Sequence, residues 1–180
     1  DDGSIPDDNP VLPGNTGPSS IWSYGHRNPQ GLALHPETGE VWSSEHGPMG
    51  GDELNIIKKG LNYGWPLYSI GINYDGSRIS SGHTAEGIEP PLYTWTPSIG
   101  VCGITFITSD SFGAWKGNLL ASGLALQKLY RCVVKDNKVT EETELLTGYG
   151  RVRNVIQGPD GNIYVSVEGP GRILRISPQP

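Results

Sequence analysis

A chain of 180 residues is long enough to bury a core of its own, and its 26 Gly and 15 Pro against only 18% charged residues exclude long helices in favour of short strands joined by turns. A net charge of −6, with no basic run longer than Lys58-Lys59, excludes nucleic acid as a partner. No apolar stretch approaches membrane-spanning length, so no membrane partner is expected either.

Residues 1–20 are rich in Pro, Gly, Asp, Asn and Ser and read as loop. Asp1-Asp2-Gly3-Ser4 carries neither an initiator Met nor a signal peptide, so a trimmed chain or a fragment is expected. A recurring pattern of short strands follows. Its first copy is Gly31-Leu32-Ala33-Leu34, a turn over 36–39, Glu40-Val41-Trp42-Ser43-Ser44 and Glu53-Leu54-Asn55-Ile56-Ile57. Residues 60–100, rich in Gly, Pro, Tyr and Trp, read as an inserted loop region. The second copy is Gly103-Ile104-Thr105-Phe106-Ile107, then Gly117-Asn118-Leu119-Leu120-Ala121, then Lys128-Leu129-Tyr130-Arg131-Cys132-Val133-Val134. The third is Asn154-Val155-Ile156, the turn Pro159-Asp160-Gly161, Asn162-Ile163-Tyr164-Val165-Ser166, and Arg172-Ile173-Leu174-Arg175-Ile176.

The spacing of these copies can be counted. Gly117 to Gly161 and Lys128 to Arg172 are each about 44 residues apart, within the ~40–45 of a propeller blade. Gly39 to Gly117 is about 78, the surplus lying in the 60–100 insertion. The expected fold is therefore an all-β propeller, with blades over about 21–60, 101–148 and 149–180. Three blades are fewer than the ~4–8 of a closed ring. Either further residues or a second copy of the chain would have to complete it. A β-sandwich with irregular hairpins is the alternative, disfavoured by two independent matching spacings. Cys102 and Cys132 fit no zinc spacing. They read as small buried hydrophobes, with a disulfide as the alternative.

Several segments carry a resemblance. Ile21-Trp22-Ser23-Tyr24-Gly25-His26-Arg27-Asn28-Pro29-Gln30-Gly31-Leu32 is followed by Glu45-His46-Gly47-Pro48, Gly51-Asp52-Glu53-Leu54-Asn55 and Asn62-Tyr63-Gly64-Trp65-Pro66. Pro91-Leu92-Tyr93-Thr94-Trp95-Thr96-Pro97-Ser98 and Arg151-Val152-Arg153-Asn154-Val155 come next, in the same order as in the family. Together they resemble the glucose/sorbosone dehydrogenases, quinoproteins that use pyrroloquinoline quinone (PQQ) and calcium, over nearly the whole chain and from the C-terminal half of the family's length. The resemblance implies a six-bladed propeller of which about three blades are present. It also implies oxidation of aldose sugars at C1, with electrons passed to an external acceptor.

PQQ is flat and carries three carboxylates, so planar bidentate donors suit it. The resemblance assigns cofactor contacts to Arg27, Asn28, Tyr74, Arg151 and Arg153. Arg151 and Arg153, two apart in a strand, project to the same side. It also implies that the carbonyls of Gly47 and Pro48 bind a calcium on the quinone, a Lewis acid there. Glu53 and the carbonyl of Tyr63 would hold a second, structural calcium. Tyr93 and Trp95 are candidates for the wall of a sugar pocket, since an aromatic face suits the C–H side of a pyranose; packing between blades is the alternative for both.

The family usually carries a lysine near residues 124–127. Here Ala125 and Leu126 stand there, with Lys128 just beyond. The general base that takes the C1 proton is a histidine expected N-terminal to everything present, so no catalytic residue is assigned. His26, His35, His46 and His83 are not promoted to that role; His35 is expected in a solvated turn and His83 in a polar loop. The expected partners are the sugar, the electron acceptor, and an absent N-terminal half or a second copy. The expected location is periplasmic or secreted. A non-catalytic propeller binding module and an inactive half-propeller are the competing functions.

Overall fold

The computed structural model describes residues 2–80, 82, 84–169 and 171–178. His83 lies outside the described residues. Strand β6 (Leu119–Gly123) reveals the architecture, because all five of its residues are buried. Successive side chains leave a strand on opposite faces. Leu119 and Ala121 pack with Trp42, Leu54, Ile56 and Trp95 on one side. Leu120 packs with Val152, Val155, Ile163 and Val165 on the other. A strand apolar on both faces requires a sheet against each, and the chain supplies both.

The first sheet has the order β1 (Pro29–Leu34), β2 (Val41–Glu45), β3 (Asp52–Ile57), β4 (Tyr93–Trp95). The second runs β5 (Val101–Phe106), β6, β7 (Lys128–Lys135), β8 (Lys138–Leu145). The third contains β9 (Arg151–Gln157), β10 (Ile163–Glu168) and β11 (Arg172–Ile176). Every neighbouring pair is antiparallel. β1 lies against β5, and β5 against β9, so the first strands of the three sheets stand side by side. This is the radial arrangement of propeller blades, and the all-β propeller expectation holds. Among the described residues no helix is long and apolar enough to cross a membrane.

Two strands were not anticipated. β4 lies inside the 60–100 span and pairs with Asp52, Glu53 and Leu54, so that span is not loop throughout. Three residues are too few for a periodic signal in a Pro-rich context. β8 reads Lys-Val-Thr-Glu-Glu-Thr-Glu-Leu and is mostly exposed; its charges obscure an outer edge strand, where such charge is typical. Both cysteines are free and buried, so the disulfide alternative is not realised. Burial pushes the Cys132 thiol far above its ordinary range, with Glu142 adding to the shift.

The blades are joined by a repeated polar contact. The buried Ser44 of β2 donates to the carbonyl of Cys102 at 2.5 Å. Ser122, at the matching place in β6, donates to the carbonyl of Gly103 at 2.9 Å and stands 3.2 Å from that of Arg153 in β9. Each serine thus ties the second strand of a blade to the first strand of the next. The blades also approach closely here: a Cβ on Gly31 would stand 2.6 Å from the Cys102 carbonyl. At the two ends of the stack large apolar side chains are exposed, Leu32 and Leu34 on the first blade, Ile156 and Ile173 on the third. Ser122→Ala removes a buried hydroxyl and strands the carbonyls it serves. The expected loss is about 1–3 kcal/mol in urea unfolding, against little change for Thr140→Ala on the exposed edge.

Candidate functional site

The ends of several strands meet at one end of the blades: the starts of β1, β3, β5 and β9, and the end of β2. Two buried carboxylates organise this meeting. Glu45, at the end of β2, is 2% exposed. Its Oε2 accepts the backbone N–H of Arg27 at 2.8 Å and of Asn28 at 3.3 Å. Its Oε1 accepts from Asn55 Nδ2 at 3.0 Å and lies 3.2 Å from His26 Nδ1. Asp52, at the start of β3, is 1% exposed. Its Oδ1 accepts the N–H of Gly47 at 3.0 Å and its Oδ2 that of Val101 at 2.8 Å. One side chain therefore fixes the 46–51 turn and fastens it to the second blade. The turn is tight enough to need glycine at 47, where a Cβ would stand 2.1 Å from the Gly51 carbonyl oxygen.

On this frame the cationic groups line up. Arg27 Nη1 donates to the carbonyls of His46 and Gly47, both at 3.0 Å. Its guanidinium sits 5.3 Å from the Trp65 ring centroid, a cation–π distance. Arg27 Nε is buried without a partner. Asn28 Nδ2 is 3.5 Å from His46 Nδ1, and His46 Nε2 is 3.5 Å from Cys102 Sγ. Arg153 Nη1 reaches the same sulfur at 3.8 Å. Glu168 then takes both remaining contacts, with Arg151 Nε at 3.3 Å and Arg153 Nε at 3.7 Å. Burial, seconded by the positive charge of Arg153 and Arg27 against the opposing pull of Asp52, holds the His46 imidazole below its ordinary value. The ring is therefore a neutral spacer between two arginines at neutral pH.

A crevice beside this line is bordered by Arg27, Glu45, Gly47, Pro48, Glu53 and Tyr63. Both pairs expected to serve calcium thus face one space. Burial, and next the charge of Glu45, push the Glu53 carboxyl up to about 7. A cation there would relieve both penalties. Among the described residues no three acidic, histidine or cysteine side chains are grouped to hold a metal, so backbone carbonyls would have to complete any such site. Tyr63 is fixed by donating to the Ile56 carbonyl at 2.6 Å, by accepting from Lys58 N at 2.8 Å, and by stacking on His26 at 4.5 Å. Its own backbone is tied to Tyr24, which folds part of the insertion over the start of β1.

The structure brings Arg27, Asn28, Gly47, Pro48, Glu53, Tyr63 and Arg153 to this end, with Arg151 linked through Glu168. Tyr74 is 78% exposed. It stands on a turn whose base, Ile72, pairs with Met49 of the 46–51 turn. For Tyr93 and Trp95 the structure favours the packing alternative over the wall of a sugar pocket. They lie on the outermost strand, their rings meet edge to face at 5.1 Å, and Trp95 is buried in the core between the first two blades. Its Nε1 donates to Glu142 of β8 at 2.6 Å. Trp95 is thus taken up by packing between the blades, with Tyr93 half-buried against it. Lys128 pairs with Glu144 at 2.6 Å. His35 is also less solvated than expected: its Nδ1 accepts from two backbone amides of its turn and its ring packs on Phe106 at 4.8 Å. Sequence reasoning missed Glu45, Asn55 and Cys102. The usable signal for Glu45 was a lone acid ending the apolar and small run Val-Trp-Ser-Ser, where a charge has to be paired.

The family model described as Glucose / Sorbosone dehydrogenase matches residues 1–175. The aldose sugar dehydrogenase YliI of Escherichia coli is 45% identical over 99% of this chain and 49% of its own length. The crystal structure of the Escherichia coli aldose sugar dehydrogenase in its apo form superposes with a TM-score of 0.92 at 43% identity, covering 98% of this chain and 52% of the other. The PQQ-bound aldose sugar dehydrogenase of Streptomyces coelicolor superposes with a TM-score of 0.68 at 31% identity, over 93% of this chain and 48% of the other. The chain spans about half the length of the curated relatives it matches.

Asp52→Asn leaves the Gly47 or the Val101 amide without its acceptor. It is expected to cost about 2–4 kcal/mol in urea unfolding, the scale of hydrogen bonds to a buried charge. A loss below about 0.5 kcal/mol would contradict the role given to this carboxylate.

Proposed function

This chain belongs to the Glucose / Sorbosone dehydrogenase family, and we propose that it supplies the PQQ- and calcium-binding side of a site that oxidises aldose sugars at C1. The observation that carries the proposal is the convergence of Arg27 and Arg153 on either side of His46, next to the Gly47-Pro48 turn. Two fixed guanidinium groups at one end of the blades suit a rigid ligand with several carboxylates. The buried, unpartnered Nε of Arg27 fits the same ligand, because such a group calls for an acceptor. Asn28 and Tyr74 stand at the edges of this face, and Arg151 reaches it once Glu168 is shared differently. When bound, PQQ supplies the two-electron acceptor for the sugar's C1 alcohol, and the electrons leave to an external acceptor.

The work of the chain's own residues is binding and orientation. Arg27 and Arg153 neutralise carboxylates, and neutral His46 separates them without adding a third positive charge. Burial, despite the positive charge of Arg153, pushes the Cys102 thiol up and keeps it protonated beside Arg153. The Gly47 carbonyl is offered both to Arg27 and to a calcium, so metal and guanidinium draw on one acceptor. Glu53 and the Tyr63 carbonyl are proposed for a second calcium, which the raised Glu53 carboxyl favours. His26 is occupied by Ser23 and Glu45 and is unsuited to act as the base. The base, the remaining blades over Leu32 and Ile173, and a periplasmic or secreted setting are assigned to the whole protein. A second copy of this chain is the other way to cover those faces.

In the natural full-length protein, PQQ titrated in the presence of calcium is expected to bind, and Arg27→Ala or Arg153→Ala to weaken binding on the order of tenfold or more. A folded protein that binds no PQQ, or binds it equally well without either arginine, would leave a propeller binding module as the better reading. The 180-residue chain alone is expected to give little or no turnover with PQQ, calcium, an aldose and a dye acceptor. Robust turnover would mean that one of its own histidines serves as base.

A further inference from the structure

Glu45 opens the Glu45-His46-Gly47-Pro48 segment but is assigned no contact with cofactor or metal, yet it ties together the segments that carry Arg27, Asn28 and Asn55. Its two oxygens take four contacts: the amides of Arg27 and Asn28, Asn55 Nδ2 and His26 Nδ1. That accounts for about the four lone-pair positions of a carboxylate. Arg27 answers in the opposite direction, donating from Nη1 to the carbonyls of His46 and Gly47, the two residues that follow Glu45. Each segment holds the backbone of the other with its own side chain. The named β1–β2 register begins at Pro29, and just before it this reciprocal pair, with the His46 N–H donating to the Asn28 carbonyl at 3.1 Å, sets the direction in which Arg27 and Asn28 leave the strand.

We propose that Glu45 is a positioning residue for the cofactor: it clamps the Arg27 and Asn28 backbone so that both side chains face the anionic ligand. The proposal deepens the PQQ reading of this face and rests on it. Only a carboxylate serves, because one oxygen must accept two amides while the other accepts Asn55 and faces His26. A glutamine places an NH2 group against one of these donor sets. An aspartate keeps the charge and loses the reach. Ser23, His26 and Glu45 do have the connectivity of a nucleophile, a base and an acid, with Ser23 Oγ 2.9 Å from His26 Nε2. The His26 ring is stacked on Tyr63 and the carboxylate is committed to backbone amides, so this line braces the clamp from behind.

The test uses the natural full-length protein and two readouts. In the cofactor-free protein, Glu45→Gln is expected to speed amide hydrogen exchange at Arg27 and Asn28 on the order of tenfold or more, while β6 and β10 keep their protection. Unchanged exchange at both amides would overturn the clamp. In PQQ titrations followed by fluorescence, Glu45→Gln and Arg27→Met are each expected to weaken binding by roughly tenfold, and the double variant little further, because both act through one guanidinium. Losses that simply multiply would show that Glu45 acts on stability alone and would overturn the positioning role. An unaltered protein that binds no PQQ would remove the cofactor reading and this role with it, whereas the exchange result decides the clamp by itself. Should Glu45→Gln fail to fold, Glu45→Asp is read in the same two assays.

Discussion

The site end of this molecule depends on burying two carboxylates and satisfying them with backbone amides. Glu45 and Asp52 are almost wholly removed from water, which is costly unless the charge is met by donors. The chain meets it with the amides of Arg27, Asn28, Gly47 and Val101, drawn from three separate segments. Burying the acids therefore forces those segments together. Strand pairing builds each blade, apolar packing stacks the blades, and the acids decide how the loops at one end close over them.

The electrostatic character of the site follows from this arrangement. The negative charge is consumed internally, so the face presents guanidinium groups and carbonyls. His46 and Cys102 link Arg27 to Arg153, and burial lowers the imidazole's affinity for a proton and raises the thiol's. Glu53 is the exception. It remains a carboxyl destabilised as an anion by burial and by Glu45, accepting a hydrogen bond from Asn55 Nδ2 at 3.2 Å. One crevice thus pairs a place that prefers anions with a place that a cation would relieve, which is the combination an anionic quinone and a metal ion require.

Much of the fold was legible in the sequence because repetition was. Runs such as Leu-Leu-Ala-Ser-Gly mark strands buried on both faces, and the equal spacing of two of them marks blades. Outer strands were harder to see. β4 is three residues in a Pro-rich stretch, and the charges of β8 mask its alternation. The residues proposed for the cofactor were singled out only through a resemblance; by their position in a strand, Arg151 and Arg153 could equally form a solvated face. The role of Tyr93 and Trp95 stayed open in the sequence because an aromatic pair looks the same whether it faces a sugar or the next blade. Glu142, about 47 residues further on, is what decides it, and that contact has no local signature. Glu45, and the part Asp52 plays in closing the fold, were hidden for a related reason. Their partners are backbone amides, which every residue but proline carries and no sequence pattern announces.

The account is tested most directly by a crystal structure of the full-length protein grown with PQQ and calcium. It predicts one quinone whose carboxylates lie within hydrogen-bond distance of both the Arg27 and the Arg153 guanidinium groups, with a calcium on the Gly47 and Pro48 carbonyls. A quinone bound elsewhere, or Arg27 and Arg153 left without a shared ligand in a fully occupied complex, would contradict it.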